Sequence, residues 1–193
     1  MNVEFVEQLK ALSNIDIDTH SGSYELVQQT VRFLSNVENS LIDVDDLEML
    51  FHFGNLKHGK AARDRNIQTS NLLEPDKKAI IELNEKISLG NYTNSGLDDS
   101  HQSNGNCGLF AKGRQTLKNV VDKSTAQLFI KMLIQISEMQ DSSIDEIFNI
   151  VEKYLSKPLK GLGAGIASQI LHLLKPNISL FSTVWDRKVI KTK

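Results

Sequence analysis

The fold is decided by the stretch Leu159-Lys-Gly-Leu-Gly-Ala-Gly-Ile-Ala-Ser-Gln-Ile-Leu-His-Leu-Leu174, which predicts a tight turn followed by a helix. Glycine occupies alternate positions at Gly161, Gly163 and Gly165, where the backbone can take a positive φ angle or come close to another molecule. Beyond the turn the apolar residues follow helical spacing and share one face, which carries Ile166, Ala167, Ile170, Leu171 and Leu174.

A second helix is predicted just before this turn. Ser143-Ile-Asp-Glu146 has the pattern of a capping box, in which the first and fourth residues satisfy each other's backbone N–H groups. The predicted buried side of this helix carries Ile144, Ile147, Phe148, Val151, Tyr154 and Leu155. Pro158 cannot continue a helix and closes it. The C-terminal region therefore predicts a helix, a short glycine turn and a second helix.

The rest of the chain also favours helices. Periodic apolar residues predict helices over residues 2–12, from 23 to about 37, from about 43 to 54, from 74 through 87, and from 124 onward. For the last of these, Ser124-Thr-Ala-Gln127 predicts the start, and the helix offers a surface on which the hairpin can rest. Alternating strand-like runs occur only at 15–18 and 177–184 and are short. We therefore predict an all-α protein.

Composition limits the class of protein. The chain has 193 residues and a single cysteine, Cys107, which excludes an internal disulfide framework. No apolar run is long enough to span a bilayer, and the N-terminus lacks a secretory signal, so we expect a soluble, cytoplasmic protein. Charge is uneven, because residues 1–50 hold ten acidic side chains against two basic ones, whereas residues 153–193 hold eight basic against one acidic. A positive C-terminal segment is typical of a surface that faces a polyanion.

The hairpin resembles the helix-hairpin-helix DNA-binding motif, which commonly reads Leu-Pro-Gly-apolar-Gly and then, after two variable residues, a small residue and Ala. The match covers Leu159, both motif glycines, the apolar residue between them and Ala167, with Lys160 in place of the proline. The resemblance implies contact with the duplex DNA backbone, because glycine N–H groups and a helix N-terminus can hold a phosphate. The predicted DNA-binding residues are Lys157, Lys160, Gly161, Leu162, Gly163, Ala164, Gly165 and Lys175. An ordinary glycine-rich turn between packed helices is the alternative.

A broader resemblance runs from about residue 110 to the end. Its most specific part is Ala167-Ser-Gln-Ile-Leu-His-Leu-Leu-Lys-Pro176, and it is similar to the region ahead of the AAA+ motor in McrB-like restriction proteins. This resemblance implies a role in a restriction or phage-defence system. The nucleotide-binding motifs of that family do not occur in this sequence, so the motor and nuclease functions would belong either to segments outside it or to a partner, an AAA+ motor or nuclease subunit.

Candidates for catalysis are few. Trp185-Asp186-Arg187-Lys188-Val189 resembles the segment that carries the catalytic aspartate of helix-hairpin-helix DNA glycosylases, which would make Asp186 catalytic. The Schiff-base lysine position of that class holds Gly165 here, and we predict no enzymatic activity, no cofactor and no metal site. His172, between apolar neighbours, is predicted to be a partly buried packing residue. The basic cluster Lys57–Arg65 offers a second phosphate-contacting surface or, more simply, a solvated loop.

These observations predict two parts. Residues 1–87 form an acidic helical bundle, residues 88–107 a mobile connector rich in Asn, Ser, Gly and Asp, and residues 108–193 a helix-hairpin-helix module. The leading hypothesis is non-enzymatic DNA binding within a McrB-like system. The competing hypothesis makes the acidic part a protein-interaction module and the hairpin a structural turn.

Overall fold

The computed structural model describes residues 22–53, 60–89, 120–155, 162 and 164–175. These residues form helices and no strand, which confirms the all-α prediction for the part of the chain that they cover. The helices are α1 (residues 22–34), α2 (Val44–Phe53), α3 (Lys60–Thr69), α4 (Glu74–Leu89), α5 (Lys123–Ser137), α6 (Ile144–Leu155) and α7 (Ala164–Leu174). None of the described helices combines the length and the apolar character that a membrane crossing requires.

Helix α5 lies at the centre of the packing. It contacts α2 on one side and α6 and α7 on others, while α3 packs between α2 and α4. Its apolar side is fully buried and carries Ala126, Phe129, Ile130, Met132, Leu133 and Ile136. These side chains join those of α1, α2, α6 and α7 in one contiguous hydrophobic core. The described helices on either side of the predicted connector thus share a core.

Helix α1 packs against α4 at its start and contacts α7 through Tyr24 and Gln28. At its start, glycine permits a close approach, since a Cβ atom at Gly22 would lie 2.8 Å from Cγ2 of Ile87 on α4. Farther along, Leu26, Val27 and Val31 are fully buried. The helix ends at residue 34, three residues before the predicted end. The prediction followed the apolar spacing to Val37, which is buried beyond the end of the helix.

Helix α2 begins where its acidic residues predict. Asp43 accepts a hydrogen bond from the backbone N–H of Asp45 at 2.8 Å, and Asp46 accepts one from the N–H of Asp43 at 3.0 Å. Asp46 also accepts from the backbone N–H and the side-chain amide of Asn71, at 2.7 and 3.0 Å. Burial raises the pKa of Asp46. This carboxyl group therefore joins the start of α2 to the segment between α3 and α4.

The solvated-loop interpretation of the basic cluster is wrong for residues 60–65. These residues form the first part of α3, and Arg63 is only 2% exposed. Its Nε donates to Oδ1 of Asn84 at 2.6 Å, and its Nη2 donates to Oγ of Ser88 at 2.9 Å. Asn84 in turn donates to Oδ1 of Asp64 at 2.7 Å. A buried hydrogen-bond network thus holds α3 on α4, and Ser88 belongs to a helix rather than to the predicted connector.

Two further expectations need correction. The N-cap of α5 is Asp122, whose side chain accepts from the N–H of Thr125 at 2.8 Å, so the helix begins one residue before Ser124. On α6, Ile147, Phe148 and Val151 are buried as predicted, but Ile144 is 45% exposed. Ile144 is the first residue of the helix. Helical spacing predicts which side of a helix a residue lies on, but it does not predict whether a neighbouring helix extends far enough to cover that residue.

Candidate functional site

The residue between the two motif glycines is buried. Leu162, between the two motif glycines, is only 4% exposed and belongs to the hydrophobic core. Helix α7 begins two residues later at Ala164 and includes Gly165 in its first turn. Among the other predicted DNA-binding residues, Lys157, Lys160, Gly161 and Gly163 lie outside the described residues.

The apolar face of α7 fixes the helix in the fold. Ala167, Ile170, Leu171 and Leu174 are buried, as their spacing predicts, and α7 packs on α5. The first backbone N–H groups of an α-helix have no partner within the helix, and they carry its partial positive charge. Because the buried face sets the position of α7, it also sets where this positive end lies.

His172 is the packing residue that its neighbours predict. Its ring meets the Tyr24 ring edge to face, with centroids 5.6 Å apart and planes at 83°, and Nε2 lies 3.2 Å from the tyrosine hydroxyl. One turn along α1, Gln28 Nε2 donates to the carbonyl oxygens of Leu173 and Leu174 at 3.4 and 3.2 Å. Helix α1 therefore holds the C-terminal half of α7 and caps its last carbonyl groups.

Lys175 lies at the other end of α7 from the glycine turn. With 11 residues in the helix and a rise of about 1.5 Å per residue, the two ends are about 16 Å apart. The Lys175 ammonium group donates to the carbonyl oxygen of Met139 at 2.5 Å and pairs with Oδ1 of Asp141 at 3.1 Å. Its side chain thus binds the segment that follows α5.

A cleft of about 610 Å³ opens beside Lys175. Its walls come from the last turns of α1, from the end of α5 with the residues that follow it, and from the end of α7. The lining residues are Gln28, Arg32, Ser35, Ser137, Glu138, Asp141, Leu174 and Lys175. Sequence reasoning missed this cleft, because its residues come from three separated segments and no local motif marks them.

No family model matches this chain, and neither the curated proteins nor the solved structures include one that is detectably similar to it. The resemblances to helix-hairpin-helix and McrB-like proteins therefore stay predictions from the sequence.

No group of three or more His, Cys, Asp or Glu side chains is placed to hold a metal ion within the described ranges. Asp186, the residue considered for catalysis, and the single cysteine Cys107 lie outside those ranges. In the described part of the chain, the candidate sites are thus the start of α7 and the cleft at its end.

Proposed function

We propose that this protein is a non-enzymatic DNA-binding module that holds the duplex backbone through the glycine turn and the start of α7. In this proposal the N-terminal helices form a bundle, and the C-terminal residues form a helix-hairpin-helix module. The backbone N–H groups around Gly161, Gly163 and Gly165 bind phosphate oxygens, and Lys157 and Lys160 supply charge.

The observation that carries the proposal is the burial of Leu162 two residues before α7 begins. Burial of this apolar side chain fixes Leu162 in the core, and we propose that the neighbouring N–H groups are thereby held ready for phosphate. A fixed array of N–H groups costs less conformational entropy on binding than a loose loop does. The concentration of basic residues in 153–193 supports the same proposal, since a phosphate-binding surface requires positive charge.

The contact that we propose leaves out Lys175. Its ammonium group is bound to Met139 and Asp141, about one helix length from the turn. In the proposal Leu162 contributes through packing, and Ala164 contributes through its backbone N–H group. For biological context we propose a McrB-like restriction or defence system, with an AAA+ motor or nuclease subunit as partner, on the strength of the resemblance of residues 167–176.

The proposal is tested by fluorescence anisotropy with a labelled DNA duplex across a salt series. We expect wild-type binding to weaken steeply between about 50 and 200 mM salt, because phosphate contacts release counterions. The variant Lys157→Gln/Lys160→Gln should bind more weakly, and the slope of log affinity against log salt should fall by about 0.9 for each lysine removed. Lys78→Gln, at an exposed position on α4, is the matched control and should bind as wild type does.

A second variant tests the backbone contact. Gly161→Val/Gly163→Val should lose most of its affinity, because a β-branched side chain restricts the backbone and blocks close approach. Circular dichroism and urea unfolding establish that the variant is folded before its affinity is read. Absence of wild-type binding even at low salt would refute the proposal.

Gel filtration at low and high salt would then test the protein-interaction hypothesis, since association through opposite charges weakens with ionic strength.

A further inference from the structure

The cleft beside Lys175 is bounded by the C-terminal ends of α1, α5 and α7. The end of each α-helix carries a partial negative charge of about half an electron, because its last carbonyl groups have no partner within the helix. Although Ser35, Ser137 and Gln28 donate to some of these carbonyl oxygens, the backbone dipoles of three helix ends around one cleft favour positively charged groups. The protein already places one there, since the Lys175 ammonium group binds a carbonyl oxygen and a carboxylate beside the end of α5.

The two serine hydroxyl groups of the cleft are acceptors. Ser35 donates its proton to the carbonyl oxygen of Arg32 at 2.6 Å, and Ser137 donates to the carbonyl oxygen of Ile134 at 2.7 Å. Each hydroxyl has a single proton, so what it can offer to the cleft is lone pairs. A ligand that meets these serines must supply N–H or O–H donors.

Two ionic groups of the cleft have no partner among the described residues. Lys175 and Asp141 pair with each other, but the Arg32 guanidinium and the Glu138 carboxylate form no hydrogen bond or ion pair with any described residue. Both side chains are at exposed positions. The cleft therefore offers a ligand one cationic group, Arg32, and one anionic group, Glu138, next to the acceptor oxygens of the two serines.

We propose that this cleft binds a free amino acid with a basic side chain. The α-carboxylate of the ligand pairs with Arg32, whose planar guanidinium suits a carboxylate. The ammonium groups donate to Glu138 and to the serine oxygens, and the three helix ends stabilise their charge. The volume of about 610 Å³ lies within the range of small-molecule sites. The site is separate from the proposed DNA contact and does not depend on it.

The test is isothermal titration calorimetry of the full chain with L-lysine and three analogues. Cadaverine lacks the carboxylate, 6-aminohexanoate lacks the α-ammonium group, and hexanoate lacks both ammonium groups. We expect L-lysine to bind with saturation, cadaverine and 6-aminohexanoate to bind about tenfold more weakly, and hexanoate not to bind, because each lost charged contact costs about that factor.

Two variants then assign the contacts. Arg32→Gln should weaken L-lysine about tenfold and leave cadaverine unchanged, whereas Glu138→Gln should weaken both. Arg65→Gln and Glu82→Gln, at exposed positions on α3 and α4, are matched controls and should bind as wild type does. A heat signal from L-lysine no larger than that from sodium chloride would overturn the proposal. Equal binding of hexanoate, or wild-type affinity in both cleft variants, would overturn it as well.

Discussion

Replacement of Arg63 by methionine should destabilise the fold although it removes a charge from a basic cluster. Methionine keeps most of the length of the side chain and has a similar helix propensity, so the change isolates the guanidinium. The variant loses the 2.6 Å hydrogen bond to Asn84 and the 2.9 Å hydrogen bond to Ser88. Because Asn84 is fully buried, its side-chain oxygen would lose a donor that water cannot easily replace.

The size of the effect follows from these contacts. A buried polar group left without its partner costs about 1–3 kcal/mol, whereas the partly exposed Ser88 hydroxyl can bind water instead. Burial lowers the pKa of Arg63, which reflects the desolvation of its charge, and methionine relieves that cost. We therefore expect Arg63→Met to lower the free energy of unfolding by about 2 kcal/mol. The assay is urea unfolding followed by circular dichroism.

A double-mutant cycle tests the reasoning further. Asn84→Leu alone should also cost about 2 kcal/mol, since the buried Nε of Arg63 then loses its acceptor. The double variant, with both partners apolar, should be more stable than the sum of the single changes predicts by about 1–2 kcal/mol. Arg65→Met, two residues along the same helix but exposed, is the control and should change stability by less than about 0.5 kcal/mol. Equal effects of the two arginine variants, or strict additivity in the cycle, would refute the buried network.

Three other substitutions test other parts of the fold by urea unfolding. Asp46→Asn should change the pH dependence, because a raised carboxyl pKa means that the folded state binds the proton more tightly than the unfolded state does. The stability that Asp46 contributes is therefore present below the ordinary pKa of 3.8 and is lost as pH rises through the folded-state pKa. Over that pH window wild type should lose stability relative to the variant. A difference in unfolding free energy that does not change with pH would contradict this. Tyr24→Phe should cost about 1 kcal/mol through the lost contact with His172, and no change would count against that contact. Phe129→Ala should cost about 3–5 kcal/mol because the ring is fully buried, and a cost below 1 kcal/mol would place it outside the core.

Helices with an apolar stripe could be predicted from the sequence. The spacing of apolar residues identified α2, α4, α5, α6 and α7, and acidic first turns gave the starts of α2 and α4 to within a residue. These signals are local, since a helix in contact with a core needs one apolar side and a satisfied N-terminus. Residues 1–21 and 90–119 carry predictions that lie outside the described residues.

Helix α3 could not be predicted in the same way. Its residues Lys60–Thr69 include one large apolar side chain, Ile67, so no apolar stripe marks the buried side. The second buried side chain is Arg63, and its burial depends on Asn84, which lies 21 residues along the chain. A charged residue in a sequence is usually exposed to solvent. The burial of Arg63 can be recognised only once its hydrogen-bond partner Asn84 is known. The cleft could not be predicted for a similar reason, because Arg32 and Glu138 come to line one cavity only after three helices pack.

The two ends of α7 have opposite electrostatic character, and this separates the two proposals. The helix dipole makes the start of α7 positive, which is the end that we propose binds phosphate, and it makes the other end negative, where Gln28 already donates to the last two carbonyl oxygens. Ends about 16 Å apart exceed the Debye length of about 8 Å at physiological salt, so charge at one end is largely screened from the other. Arg32→Gln and Glu138→Gln should therefore leave DNA affinity unchanged, and Lys157→Gln/Lys160→Gln should leave L-lysine binding unchanged. If one variant changes both DNA affinity and L-lysine affinity, the two ends are coupled by a movement of α7 and not by electrostatic interaction along the helix.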